Sequence, residues 1–438
     1  MKRRILIALA MILALLVGAF FWFTREHALL TVEAVAGTSP TITDPRNELV
    51  PTINVAKAIG WKAGQAPTPA AGLKVTAFAA GLSHPRWMLV LANGDVLVAE
   101  SNSPPRDVRG IEGWVMTRLT NRAGAGEPSP NRITLLRDTD GDGVAEVRSV
   151  LLTGLHSPSG MALVGPYLYV ANSDALVRYR FVPGQTKIDA PAEIVFRMPG
   201  GGIHWARNVV ANADGTKLYV SIGSSTNIAE KGLDAEQDRA QIWEYDVATK
   251  QHRVFAYGLR NPNGMAWNPW TRELWAVVNE RDMLGADLTP DYLTHVELGG
   301  FYGWPWYYWS GYIDSRVPEP DSDTREYMVK PDYALGPHVS ALGLSFSVGQ
   351  ALAPRFASGA FVGEHGSWNR KPKSGYKVVF VPFVNGQPKG LPVDVLTGFL
   401  TADQSEAHGR PVDVRLDGKG ALLVADDAGN HIWRVTAR

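Results

Sequence analysis

Residues 200–210 read GGGIHWARNVV, with His204, Trp205 and Arg207 following three glycines and leading into an apolar run. Glycine lets backbone pass close to another group, histidine titrates near neutrality, and arginine is a fixed cation. Together they suit a site. The plain alternative is a tight turn with a packed His204 and Trp205.

Side chains of this kind act only when a scaffold positions them. The sequence repeats one phrase six times: a short apolar strand, a polar turn usually containing Gly, Asn or Asp, and a second strand of alternating or β-branched residues. The copies begin at His84 (HPRWMLVLANGDVLVAES), Ser157, His204, Asn261, Ser340 and Arg410. Each interval holds one four-stranded sheet plus loops, since propeller repeats need roughly 40 residues or more. The expected fold is all-β: a six-bladed β-propeller over 74–438, preceded by an N-terminal transmembrane helix. HIWRV, 431–435, reads as a closing strand near the first blade. Six copies disfavour a β-sandwich or a pair of β domains, and radial closure leaves few exposed edges.

Propellers gather function where the segments entering successive blades converge. Those segments here carry His84 with Arg86, His156 with Ser157, His204 with Arg207, Arg260 with Asn261, His338 with Ser340, and His408 with Arg410. Half of the chain's 10 histidines fall among them. A ring of arginine and histidine suits a flat, anionic ligand, because guanidinium groups grip carboxylates with two parallel hydrogen bonds.

Composition narrows the classes. The 438 residues are 45% hydrophobic and 20% charged, with 43 basic and 43 acidic side chains, so no global field draws the chain to nucleic acid and no nucleic-acid partner is expected. With no cysteine, disulfides, thiolate metal sites and cysteine nucleophiles are excluded. MKRR followed by the apolar run 5–23 reads as a membrane anchor over 1–24, its basic end in the cytoplasm and the propeller on the extracytoplasmic, periplasmic side. AVA at 34–36 offers a cleaved, secreted alternative, though it lies far from the apolar run. Residues 25–73, rich in Ala, Thr, Pro and Gly, read as a linker lifting the propeller off the membrane.

The six phrases, together with GGGIHWARN, YGLRNPNGMAW, VNERDMLGADL, GFYGWPW and HGSWNR, resemble the glucose/sorbosone dehydrogenase family, closest to its sorbosone-dehydrogenase-like branch. That resemblance implies an oxidoreductase using pyrroloquinoline quinone (PQQ) and Ca²⁺ to oxidise an aldose or sugar aldehyde, with a cytochrome or quinone as electron acceptor. It makes His204 the general base for the sugar hydroxyl. Arg260, in GLRNP, stabilises charge on a quinone oxygen, and the cofactor contacts implied are Arg207, Asn261, Arg370, Lys371 and Arg410. For calcium, it points to carbonyls near Arg281 and Asp282 with Asp287 as carboxylate. This sequence departs from the family where Val412 replaces a second arginine and where GLHSPSG lacks a glutamine.

Two further stretches carry weaker readings. DTDGDGVAEV, 138–147, imitates the start of a calcium loop but has Ser149 at its twelfth position, and it makes a good hairpin turn. The aromatic run 300–312 reads as packing for a long loop. Rival functions are a metal-dependent lactone hydrolase, which needs a carboxylate- and asparagine-ringed cation, and a cofactor-free propeller binding a partner or glycan at the cell envelope.

Overall fold

The computed structural model describes residues 2–24, 27–48, 51–105, 110–320, 323–349 and 352–438. Six antiparallel four-stranded sheets stand in chain order, and each repeated phrase supplies the two innermost strands of one sheet. The innermost strands are Pro85–Val90, Met161–Val164, Arg207–Ala211, Pro262–Trp267, Ala341–Val348 and Pro411–Leu416. Neighbouring blades bury a continuous apolar layer; Trp275, Val277 and Leu293 of blade four meet Leu344, Val362 and Val379 of blade five, all fully buried. This is the six-bladed propeller expected from the repeat.

Closure is more specific than the repeat indicated. His431–Ala437 is the third strand of the last blade, and the outermost strand is Leu73–Ala80, brought from the N-terminal end. The ring is thereby locked by pairing the two ends of the propeller.

The alternation of antiparallel strands sorts the loops onto two faces. Segments entering each blade, and loops joining its second and third strands, lie on one face, the mouth. Loops joining first to second and third to fourth strands lie on the other.

The reading of 25–73 as a free linker is corrected by the packing of its described residues. They form a strap across the mouth. Ala28 N donates to Lys371 O (2.9 Å), Arg46 N to Leu284 O (3.0 Å) and Asn54 N to Trp368 O (2.7 Å). Lys57–Ala58 then pairs in parallel with Glu406–Ala407, and Trp61 Nε1 donates to Asp426 Oδ2 at 2.6 Å. Thr68–Pro69 extends the fifth blade by one strand. Such a strap is held by scattered backbone bonds rather than by one apolar face, so it has no periodicity to read.

Two helices stand outside this pattern. Helix α1, Lys2–Thr24, is long and apolar enough to cross a membrane, and its apolar window is unburied. Helix α2, Gly110–Arg122, is inserted between the second and third strands of blade one, hence over the mouth. The aromatic run packs as expected: Phe301, Tyr302, Trp304, Tyr307, Tyr308 and Trp309 are all buried.

Candidate active site

Buried carboxylates set the entry segments in place. Glu100 accepts a hydrogen bond from Ser83 N (2.5 Å), Asp291 from Ser340 N (2.6 Å) and Asp426 from Arg410 N (2.7 Å), each from the strand stack of its own or the preceding blade. Each satisfies a backbone donor that the turn into the innermost strand leaves unpaired. His84 and Ser340, directly before their strands, take left-handed φ values of 49° and 55°, a conformation held by these bonds.

At the corner between blades three and four, His204 is half-buried and its Nδ1 lies 3.0 Å from both Ser224 O and Ser224 Oγ. Ser224 Oγ donates to Thr226 O, so its oxygen accepts from the imidazole; Nδ1 carries the proton and Nε2 is the basic nitrogen. Ser224 N in turn donates to Arg260 O at 2.7 Å, coupling the two loops. Asn261 converges on the same point: a Cβ added at Gly223 would fall 2.4 Å from Asn261 Oδ1 and 2.7 Å from His204 Cβ. The glycines before His204 serve the turn. Gly201 and Gly202 have φ of 74° and 82°, and a Cβ on Gly202 would meet Ser225 Cα at 2.8 Å.

Several arginines face inward rather than toward a ligand. Arg207 is fully buried, its fork on the carbonyls of His204, Ala206 and Pro199; burial and the neighbouring Arg239 push its pKa down to about 9. Arg370 is equally buried and is spent on Ala286 O, Pro372 O, Leu30 O and Asp287 Oδ1. Lys371 is exposed on the rim. Arg260 gives Nε to Asn227 O, Nη2 to Asn227 Oδ1 and Nη1 to Asn279 O and Glu280 O. The expectations that Arg207 and Arg370 touch a cofactor, and that Arg260 points at a quinone oxygen, give way to loop-clamping roles, because these forks are saturated by carbonyls.

The segment implied for calcium is engaged likewise. Asp287 Oδ2 accepts Leu29 N and Leu30 N, and its Oδ1 accepts Arg370. Asp282 O accepts three donors from Arg281 and Asn227, and Arg281 O accepts Thr289 Oγ1. Asp282 Oδ1 meets Asn369 Nδ2 and the Nδ1 of His338, with Arg260 Nη2 3.8 Å from its Oδ2. His338 also places Nε2 3.1 Å from Gly285 O. Burial opposes its charge, but Asp282 outweighs that and raises its pKa, so both ring nitrogens donate. Flanked by an imidazolium and a guanidinium, with their lone pairs taken, Arg281, Asp282 and Asp287 do not fit a calcium ion. The acidic hairpin fits its turn reading: Asp138 accepts Gly141 N and Gly143 N on the face away from the mouth, although carboxylates of Asp138, Asp140, Asp142 and Glu146 lie within 4.8 Å of one another.

The residues that enclose space at the mouth form a different set. A cavity of about 250 Å³ is lined by His84, Arg86, Trp205, His365, Arg410 and Asp427, and roofed by Thr120 and Ala123–Ala125 from the end of α2. Arg86 Nη1 reaches Asp427 at 2.5 Å while its guanidinium lies 5.4 Å from the Trp205 ring centre. His365 Nε2 is 2.9 Å from Asp427 Oδ1. Arg410 donates to His365 O and Gly366 O. Burial, then the charge of Arg410, pushes His365 down to about 4, so Nε2–H donates to the carboxylate. Burial works against the charge on Asp427, yet His365 and Arg86 hold its carboxyl well below the usual range. Arg86 Nε is buried without a partner among the described residues. His365 and Asp427 lie just after the second strands of blades five and six, outside the entry segments on which the sequence reading concentrated; the HGSWNR motif was the signal that held His365.

A family model described as TrAA12-like matches residues 130–292 and 312–438. Aldose sugar dehydrogenase YliI of Escherichia coli K12 is 28% identical over 253 residues, 54% of this chain and 61% of that protein. An uncharacterized protein of Borreliella burgdorferi is 29% identical over 235 residues, 53% of this chain and 60% of that protein. The matches thus span about three fifths of these relatives' own length. Among solved structures, the AA12 carbohydrate-active enzyme of Trichoderma reesei superimposes with a TM-score of 0.70 at 20% identity, covering 89% of this chain and 100% of that one. The PQQ domain of pyranose dehydrogenase from Coprinopsis cinerea, in its holo form, gives a TM-score of 0.66 at 19% identity over 87% and 100%. The resemblance drawn from the motifs therefore stands at family level. With its model matching well over half of the sequence, the chain belongs to the TrAA12-like family.

Proposed function

We propose that the chain is an oxidoreductase of sugars that holds PQQ at the channel mouth, in or against the cavity between Arg86, Arg410, His365 and Trp205. The observation that carries this reading is the pair of cavity-lining guanidinium groups, one with a buried, unpartnered Nε. A polycarboxylate quinone offers what that donor lacks, and leaving a buried donor unpaired costs about 1–3 kcal/mol. The names of the relatives support it: an aldose sugar dehydrogenase and a PQQ-dependent pyranose dehydrogenase.

When bound, PQQ supplies an acceptor for a hydride from the sugar carbon bearing the reacting hydroxyl. His204, with Nδ1–H fixed on Ser224, presents Nε2 to take the hydroxyl proton. Asn261 stands beside it as a hydrogen-bonding partner for ligand. Arg260 acts as a positioning residue, fixing Asn227 and the 279–280 backbone around this corner. Trp205, under Arg86, gives one apolar wall. The calcium ion implied by the resemblance has no place among Arg281, Asp282 and Asp287. The substrate class is an aldose or sugar aldehyde, of glucose or sorbosone type; the electrons pass to a cytochrome or quinone. Helix α1 is read as the anchor of an extracytoplasmic, periplasmic propeller, with a cleaved leader as the alternative.

Sugar-dependent reduction of a redox dye by purified protein, with and without added PQQ, tests the reading. Dye reduction that requires both sugar and PQQ supports it. Lactone hydrolysis without PQQ favours the hydrolase reading.

A further inference from the structure

We propose that the mouth face is the membrane-facing side of the protein, and that a bilayer surface with anionic headgroups is what covers it. The proposal rests on the reading of α1 as an uncleaved anchor. It goes beyond that reading by assigning which face of the propeller meets lipid.

The first argument is the length of chain between anchor and propeller. Helix α1 ends at Thr24, and by Ala28 the chain is bonded to Lys371 O, in the mouth loop that also carries His365. Leu29 and Leu30 continue the attachment through Asp287, and Arg370 closes it on Leu30 O. Consecutive Cα atoms are at most about 3.8 Å apart, so the end of α1 lies within roughly 15 Å of Ala28. A propeller pinned this way keeps its mouth side toward the anchor. The opposite face, with its hairpin of Asp138, Asp140, Asp142 and Glu146, is turned away.

The second argument is what the mouth face exposes. Leu29 is 68% exposed and Trp114 60% exposed, and Ile53, Ile59 and Met116 are exposed as well. Three of these lie on the strap and two on α2, and the two elements are tied together where Arg122 Nε donates to Val55 O at 2.8 Å. Exposed cations stand among them: Arg46, Lys57 and Lys62 on the strap, Arg118 and Arg122 on α2, and Lys371 on the rim. Scattered apolar side chains flanked by Lys and Arg suit the headgroup region, where the former enter the acyl boundary and the latter pair with phosphate. Tryptophan favours that same depth.

The chain contains no cysteine, so one introduced thiol can be labelled uniquely. The full chain is reconstituted into vesicles of phosphatidylethanolamine and phosphatidylglycerol containing a spin-labelled quencher lipid. An environment-sensitive fluorophore is placed at Ile53→Cys or Lys371→Cys on the mouth face, or at Thr249→Cys on the opposite face. The expected result is that chains float with the vesicles and both mouth probes are quenched several-fold more than the Thr249 probe. Floating chains with equal quenching, or stronger quenching at Thr249, overturn the assignment of the face while leaving the anchor reading intact. Chains that fail to float overturn both. Neither outcome depends on sugar oxidation, so the enzyme reading is tested separately.

Discussion

His204 and Arg260 are joined through one serine: Ser224 accepts the imidazole Nδ1 at 3.0 Å on both of its oxygens, and its own N–H donates to Arg260 O at 2.7 Å. The base is thus oriented by the same loop that the arginine clamps. Replacing His204 by alanine is expected to lower kcat by about 10²–10⁴ while leaving PQQ affinity close to parental. Ser224→Ala keeps the carbonyl acceptor and loses less. Stopped-flow reduction of the loaded enzyme by an aldose measures both; parental rates in His204→Ala would move the base elsewhere on the rim.

Arg260→Lys is expected to act through stability as well as rate. An ammonium cannot span Asn227, Asn279 and Glu280 together, so buried carbonyls lose their donors at about 1–3 kcal/mol. Urea unfolding should show an earlier midpoint with lower kcat. An unchanged midpoint combined with lost turnover would place the fork on substrate or cofactor instead.

The scaffold was legible because its period is long and its strands are apolar: every repeated phrase became the inner pair of a blade. The mouth was legible too, since entry segments converge by symmetry. Side-chain direction was not. Arg370 meets Leu30 O, and Asp287 meets Leu29 N and Leu30 N, across most of the chain, and no local pattern announces such pairs. The strap hid for the same reason. His365 and Asp427 were missed because the loops after second strands share no repeated motif, although they close the cavity.

Acid stability offers a separate check on the cavity. His365 has a folded pKa of about 4 against an ordinary 6.5, so protons prefer the unfolded chain between those values. The neutral buried imidazole therefore contributes stability that is fully present above pH 6.5 and is lost as pH falls toward 4. His365→Gln should flatten this part of a Tm-against-pH curve. Parallel curves for parent and variant would mean that the ring titrates normally, outside a cationic cavity.

The opposite sign is expected at His295. Its hydrogen bond to Asp332, assisted by Glu297, raises its pKa to about 9, so its stabilising charge is fully present below pH 6.5 and is lost as pH rises through 9. Asp332→Asn should reduce the loss of Tm over that interval, and an unaltered alkaline slope would count against the pair.

The central claim is that the cavity cations hold a quinone cofactor, and the most direct test is a titration of purified protein with PQQ followed by visible absorption, for the parent and for Arg410→Ala. A charged hydrogen bond to a carboxylate contributes about 1.5–3 kcal/mol, so the variant's Kd should rise by roughly tenfold or more. The account predicts saturable binding in the parent, bleached or shifted on adding aldose, and markedly weaker binding in Arg410→Ala. Absence of PQQ binding in the parent, or equal affinity in the variant, would contradict it.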